Sequence, residues 1–103
     1  MANYNAYGEV AVHETLAANV SDNVQINFAE DTELTVVNRT GTAEIYFMVT
    51  PGVQPPGTPP VVGDERCRVL PAAMDALSEP ISSGPYVISL ISASIQAYSV
   101  EGI

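Results

Sequence analysis

Lysine and tryptophan are absent from this chain of 103 residues, and cysteine and histidine occur once each. Three arginines stand against twelve acidic residues, which gives a formal net charge of -9 at pH 7. Because nucleic acids and anionic membranes are bound by clustered cations, this balance argues against both as direct partners. A single cysteine excludes an internal disulfide, and one cysteine with one histidine cannot build a zinc cage from this chain alone.

Long apolar runs are also missing, since none approaches the ~18 residues that a membrane-spanning helix needs. The opening residues, "MANYNAYGEV", lack the basic and apolar regions of a secretory signal, so we expect no leader peptide. Together with the lone cysteine, these features indicate a protein made and folded in a reducing cytoplasm.

Motifs for catalysis are not found in the sequence, which has no glycine-rich phosphate loop and no serine in a nucleophile elbow. Cys67 stands between Arg66 and Arg68, and strand alternation predicts that its thiol faces the core, opposite both arginines. A Cys–His pair with His13 is the alternative. Residues 30–33 form an acidic run that predicts a solvated turn, with calcium binding as the alternative. We expect a protein that is not an enzyme and carries no cofactor or metal.

Short runs with a period of two dominate the chain, with turn residues roughly every ten positions. In "NVQINF", for example, Val24, Ile26 and Phe28 share one face and the amide side chains share the other. The pattern predicts an all-β fold, an antiparallel sandwich or barrel-like domain of about seven to eight short strands. "RCRVL" reads as one of these strands, and "PAAMDALSEP" as an irregular connection.

A single domain is expected from the length. We interpret residues 1–8 as an N-terminal arm, with a frayed terminus as the alternative. Residues 9–103 are then a single β-sandwich domain with a proline-rich loop at 51–63.

The stretch "LTVVNRTGTAEIYFMV" places two strand-forming runs around a short loop with Gly41, which predicts a β-hairpin. Its second run is apolar on both faces, because Tyr46 and Met48 lie opposite Ile45 and Phe47. A covering loop, contact with another subunit, and ordinary surface exposure each explain this pattern. We favour burial by a partner or by the chain's own arm and loop.

Arg66 and Arg68 are two of the only three cations. Placed on one strand face, they either pair with nearby carboxylates of the same chain or meet acidic groups of a partner.

From about Leu34 to Gly102 the chain resembles small virion proteins of tailed bacteriophages, especially those infecting actinobacteria. The resemblance rests on the stretch quoted above, a loop with Pro and Gly, "RCRVLPA", "SGPYVISLISA" and the terminal "AYSVEG". It implies a non-enzymatic capsid decoration protein in the virion, which binds the outer face of the head shell and stabilises contacts between capsid subunits. It also implies the major capsid protein or another virion protein as partner, and a homo-oligomer such as a trimer.

Two other functions compete with this one. A tail- or neck-associated β-module of the virion has the same requirements. A carbohydrate-binding or adhesion module needs aromatic rings, which Tyr46, Tyr86 and Tyr98 supply, although tryptophan is absent. For the leading function, the residues predicted to contact a partner or another subunit are Tyr4, Tyr7, Tyr46, Met48, Arg66 and Arg68.

Overall fold

The computed structural model describes residues 2–7, 11–28, 31–52 and 60–102, with only the backbone described for 2–7 and Phe28. Within these ranges the chain forms nine strands and no helix. The strands are β1 (Ala2–Tyr7), β2 (Val12–Leu16), β3 (Asp22–Phe28), β4 (Thr32–Asn38), β5 (Ile45–Pro51), β6 (Arg68–Leu70), β7 (Ala76–Ile81), β8 (Gly84–Ser92) and β9 (Gln96–Gly102).

Two sheets form the fold. Sheet A has five strands in the order β1-β3-β8-β5-β6, and sheet B has four in the order β2-β9-β4-β7. Every pairing is antiparallel except that of β1 with β3. The last two strands, β8 and β9, occupy interior positions of sheet A and sheet B respectively. The predicted antiparallel β-sandwich is confirmed.

The core lies between the sheets and follows from strand alternation. On β3, Val24 and Ile26 are fully buried, as the sequence predicted, and they pair across to Ile88 and Tyr86 of β8. Each fully buried aliphatic side chain contributes roughly 1.5–3 kcal/mol relative to exposure. The buried cluster consists of Leu16, Val24, Ile26, Leu34, Val36, Ile45, Phe47, Leu70, Ile88, Leu90, Tyr98 and Val100.

The hairpin predicted for residues 34–49 is wrong, because β4 belongs to sheet B and β5 to sheet A. The connection crosses from one sheet to the other, so Leu34 and Ile45 meet the same core from opposite sides. Asn38 organises this crossing: its Oδ1 accepts a hydrogen bond from the Gly41 amide at 3.0 Å. Gly41 has a φ of 77°, a conformation that glycine adopts without strain.

Residues 2–7, which we interpreted as part of an arm, form edge strand β1 in parallel register with β3. The predicted irregular connection at residues 71–80 contains most of β7, which the sequence pattern did not indicate. Because β7 is an edge strand of sheet B, it tolerates the missing amide N–H of Pro80. Residues 53–59 of the proline-rich loop lie outside the described residues.

The strand predicted for "RCRVL" begins only at Arg68, so Cys67 is not in mid-strand. Cys67 lies half-buried in the preceding turn, where its amide donates to Asp64 O at 3.1 Å. Arg66 lies in the same turn, and the two arginines therefore do not share a strand face. The turn delays the start of β6, because Asp64 accepts the amide hydrogens of Arg66 and Cys67 that a longer ladder would use.

Candidate binding surface

Three of the six residues predicted for a partner interface lie in one place. Met48, Arg66 and Arg68 line a cleft of about 380 Å³ along one open side of the sandwich, between β5 and β7. We call it the open-side cleft. Tyr46 lies on the outer face of sheet A, and Tyr4 and Tyr7 belong to β1 at the opposite edge of that sheet. The side chains of Tyr4 and Tyr7 lie outside the described residues.

The open-side cleft exists because β6 is only three residues long and covers only the first part of β5. Phe47 is the last residue of β5 that pairs with β6, and the inward side chain of Val49 lies beyond that pairing, where Ile81 of β7 also lines the cleft from sheet B. Leu77, Glu79 and Ile81 are the half-buried, core-facing residues of β7. The cleft is thus an opening into the edge of the core, bordered by charged groups.

Arg68 crosses the open side of the sandwich. Its guanidinium lies 2.9 Å from Oε2 of Glu79, which joins the edge strand of sheet A to that of sheet B. The arginine side chain is 57% exposed, so the pair contributes at most about 1 kcal/mol to stability. A guanidinium carries five N–H donors, and a single carboxylate does not use them all.

Arg66 pairs with Asp64 within the turn before β6. The guanidinium Nε donates to Asp64 Oδ1 at 3.0 Å, and the Arg66 backbone amide donates to the same oxygen at 3.0 Å. These bonds hold the pKa of the Asp64 carboxyl well below its usual range. The same pairing raises the pKa of Arg66. Both arginines therefore pair with carboxylates of their own chain, which was one of the two alternatives left open by the sequence.

The outer face of sheet A carries the side chains of Tyr46 and Met48, both half-buried, so Met48 borders the open-side cleft at the outer face and does not point into the core. The register places Tyr46 between Val69 and Ile91, and Met48 beside Ser89. Val69 is 40% exposed, whereas Ile91 and Val87, also on this face, are 5% and 1% exposed. The apolar side chains on the outer face of β8 are therefore already covered, and the apolar surface that remains open lies toward β5 and β6.

The Tyr46 hydroxyl forms a hydrogen bond with the residue that directly precedes β5. It donates a hydrogen bond to Glu44 Oε1 at 3.1 Å, and this bond raises the pKa of Tyr46. The phenol stays protonated at neutral pH, so its ring and hydroxyl act as a neutral contact surface.

In the described ranges, His13, Ser99 and Cys67 are not arranged for nucleophilic chemistry. His13 Nδ1 lies 2.6 Å from Ser99 Oγ on the outer face of sheet B, but Ser99 is only 2% exposed. Backbone amides around Ser99 serve the ladders to β2 and β4, so they do not form an oxyanion hole there. Burial, followed by the charge of Asp64, raises the pKa of the Cys67 thiol, which keeps it in its unreactive form.

The acidic turn does not assemble a metal site in the part of the chain that the structure describes. No group of three or more His, Cys, Asp or Glu side chains there is placed to hold an ion. Asp31 Oδ1 instead accepts a hydrogen bond from the Ser83 amide at 3.0 Å, and Glu30 lies outside the described residues. The described residues also include no helix with the length and apolarity to cross a bilayer.

The three tyrosines proposed for carbohydrate stacking do not share a surface. Tyr98 is fully buried and donates its hydroxyl to Asp22 Oδ2 at 2.9 Å between the sheets. Tyr86 is half-buried on the inner face of sheet A, and Tyr46 is on the outer face. These positions exclude a common platform formed by the three rings.

Glu79, Ile81 and Tyr86 also line the open-side cleft, and the sequence reasoning assigned none of them to a partner interface. A period-two pattern typical of a strand was present for the first two, since Leu77, Glu79 and Ile81 alternate in "ALSEPI". Pro80 within this run argued against a strand, so the pattern was not interpreted as one. Tyr86 lies on the inner face of β8, and no local pattern shows that this face ends in an opening.

Comparison with known proteins gives the fold alone. No family model matches the chain, and no curated protein matches it significantly. Among solved structures, the pre-peptidase C-terminal domain of a collagenase from Bacillus anthracis aligns with a TM-score of 0.59 and 11% identity, over 98% of this chain and 94% of that one. Aeromonas hydrophila PliG, a periplasmic inhibitor of g-type lysozyme, aligns with a TM-score of 0.52 and 14% identity, over 98% and 99%.

Proposed function

We propose that this chain is a non-enzymatic binding module of a phage virion, a decoration protein that docks on the outer face of the head shell. The observation that carries the proposal is that Met48, Arg66 and Arg68 line one open cleft beside the half-buried Tyr46. Apolar and arginine side chains together are typical of interface cores, and neighbouring side chains leave part of this surface open. The resemblance to small virion proteins is the reason for proposing a phage head as the assembly and the major capsid protein as the partner.

The acidic surface supports a position outside the shell. With a net charge of -9, the protein is repelled by packaged DNA and remains soluble at high concentration before it docks. Copies also repel one another, so a trimer on the head would be stabilised by contacts with the shell together with apolar contact between copies.

Docking can be tested by sedimenting the purified protein with heads from a deletion mutant of the phage that encodes it. We expect the wild type to sediment with heads and the double variant Tyr46→Ser/Met48→Ser to stay in the supernatant. Because both side chains are only half-buried, the double variant is expected to lose no more than about 3 kcal/mol of stability, and so to stay folded.

The matched control is Thr35→Ala/Ser78→Ala, which alters the outer face of sheet B, where these hydroxyls lie 2.9 Å apart. This control should sediment like the wild type. Wild-type protein that stays in the supernatant would refute the proposal, and sedimentation with purified tails instead would favour the tail- or neck-associated module.

A further inference from the structure

β6 pairs with only the first three residues of β5, so the rest of that strand's outer edge has no described strand beside it. β6 pairs with Ile45, Tyr46 and Phe47, and no other described strand lies on that side of Met48–Pro51. Continuing the register would place Arg66 opposite Val49. The Arg66 amide instead donates to Asp64 Oδ1, so the turn before β6 leaves this part of the edge.

One known backbone hydrogen bond shows which residues of β5 direct their N–H and C=O groups toward this open edge. The Gly52 amide donates to Pro85 O at 2.9 Å, toward β8. Backbone groups alternate sides along a strand, so Val49 directs its N–H and C=O away from β8, past the end of β6. A donor and an acceptor at this spacing match the backbone of one further extended segment.

The open-side cleft lies directly beside this edge and would receive alternate side chains of such a segment. Val49 and Ile81, both half-buried, give an apolar part to its lining, which is otherwise mostly polar, and its volume of about 380 Å³ has room for side chains of a partner. Its border holds Arg66 and Arg68, whose side chains are 47% and 57% exposed. An acidic partner is repelled by most of this molecule, and here it meets two of the three cations, which it would share with Asp64 and Glu79 of this chain.

We propose that the open-side cleft binds an extended acidic segment of a partner protein, which adds as a strand to β5 at Val49, places apolar side chains in the cleft and carboxylates on Arg66 and Arg68. The inference names the partner chemistry of the surface on which the proposed function rests. Guanidinium groups bind carboxylates through paired, charge-assisted hydrogen bonds, which favours Asp, Glu or a terminal carboxylate in the segment.

The probe is a library of random decapeptides displayed on yeast, selected against the folded protein. We expect the recovered peptides to alternate apolar residues with Asp or Glu. A synthetic peptide from the selection should shift the ¹⁵N-amide resonance of Val49. Arg66→Gln/Arg68→Gln should weaken its binding at least about tenfold. Arg39→Gln, which removes the third cation from the connection between the sheets, should bind like the wild type.

A second peptide, N-methylated at the alternate amides that face β5, tests strand addition because it keeps every side chain. We expect it not to bind. The proposal is overturned if no peptide is recovered, if the recovered peptides lack acidic residues, or if the N-methylated peptide binds equally well. It is also overturned if the Val49 amide of the free protein is already protected from hydrogen exchange, since the chain's own loop or a second copy then fills the edge.

The two proposals fail separately. Peptide binding without sedimentation on heads would keep the assignment of the cleft and refute the virion function. Sedimentation on heads without peptide binding would refute strand addition and keep the virion function.

Discussion

Replacing Asn38 by alanine tests the connection that carries the chain from sheet B to sheet A. The Asn38 side chain is fully buried, and its Nδ2 donates to Ala43 O at 3.0 Å and to Pro71 O at 3.2 Å. Its Oδ1 accepts from the Gly41 amide at 3.0 Å. Alanine removes three hydrogen bonds at once and leaves their backbone partners without this side chain.

The expected loss follows from these bonds. A net contribution of about 1 kcal/mol for each bond gives about 3 kcal/mol, a large part of the roughly 5–15 kcal/mol that stabilises a typical domain. At ~4–8 °C per kcal/mol for a domain of this size, the melting temperature should fall by about 12–24 °C. The open-side cleft should keep its structure in the variant at low temperature, because Asn38 is not among the residues that line it.

Urea denaturation followed by circular dichroism measures this change as a shift of the midpoint at an unchanged slope. Asn38→Asp is the first comparison, since it keeps the acceptor for Gly41 but removes the donor to both carbonyls, and it should not restore stability. Asn27→Ala is the second, because Asn27 is exposed on β3 and should change stability by less than about 0.5 kcal/mol. Asn38→Ala with stability indistinguishable from that of Asn27→Ala would refute the role of the amide.

Four further predictions concern single features. Gly41→Ala should destabilise more than Gly63→Ala in thermal melts: both glycines have positive φ, but a Cβ at Gly41 would lie 2.7 Å from a backbone nitrogen, whereas Gly63 has open space; equal losses would contradict this. The lowered pKa of Asp64 stabilises the fold at neutral pH, and this contribution is lost as the pH falls below about 4. The difference in unfolding free energy between wild type and Asp64→Asn, measured in urea melts, should therefore become smaller at acid pH. A difference that grows would contradict the pairing. Cys67→Ser should sediment with heads normally, and the thiol should react slowly with iodoacetamide at pH 7, because burial raises its pKa; rapid alkylation would count against this. Deletion of residues 1–8 should leave a folded domain by circular dichroism, because β1 pairs on one side only, yet weaken retention on heads; undiminished retention would remove the N-terminus from the docking surface.

Strand alternation predicted the inward residues of β3, where Val24 and Ile26 are fully buried. It works there because the opposite face carries amide side chains, so only one face suits the core. On β8 it does not separate the two faces, because Val87 and Ile91 on the outer face are buried, as are Ile88 and Leu90 on the inner face.

The arrangement of the strands could not be predicted in the same way. A short polar loop with Gly41 can connect the two strands of a hairpin or two strands in different sheets. Which of the two forms depends on contacts with residues far away in the sequence. Asn38 bonds to Pro71 O, more than thirty residues away in sequence, and β4 and β5 each find their neighbours among later strands.

The candidate site was predicted in part for the same reason. Residue type marked Met48, Arg66 and Arg68, and the fold brought them together from β5, from the turn before β6 and from β6 itself. Glu79, the carboxylate that pairs with Arg68, comes from a strand that the sequence analysis interpreted as an irregular connection. Local pattern therefore identified side chains suited to an interface, and only the closing of the two sheets defined its shape.

The interior positions of β8 and β9 have a consequence for biosynthesis. Sheet A cannot join β3 to β5 before β8 leaves the ribosome, and sheet B cannot join β2 to β4 before β9 does. Pairings among earlier strands, such as β4 with β7, can form first, but neither sheet is complete until these last segments emerge. Such late, long-range closure is slow and leaves apolar strand faces uncovered during translation.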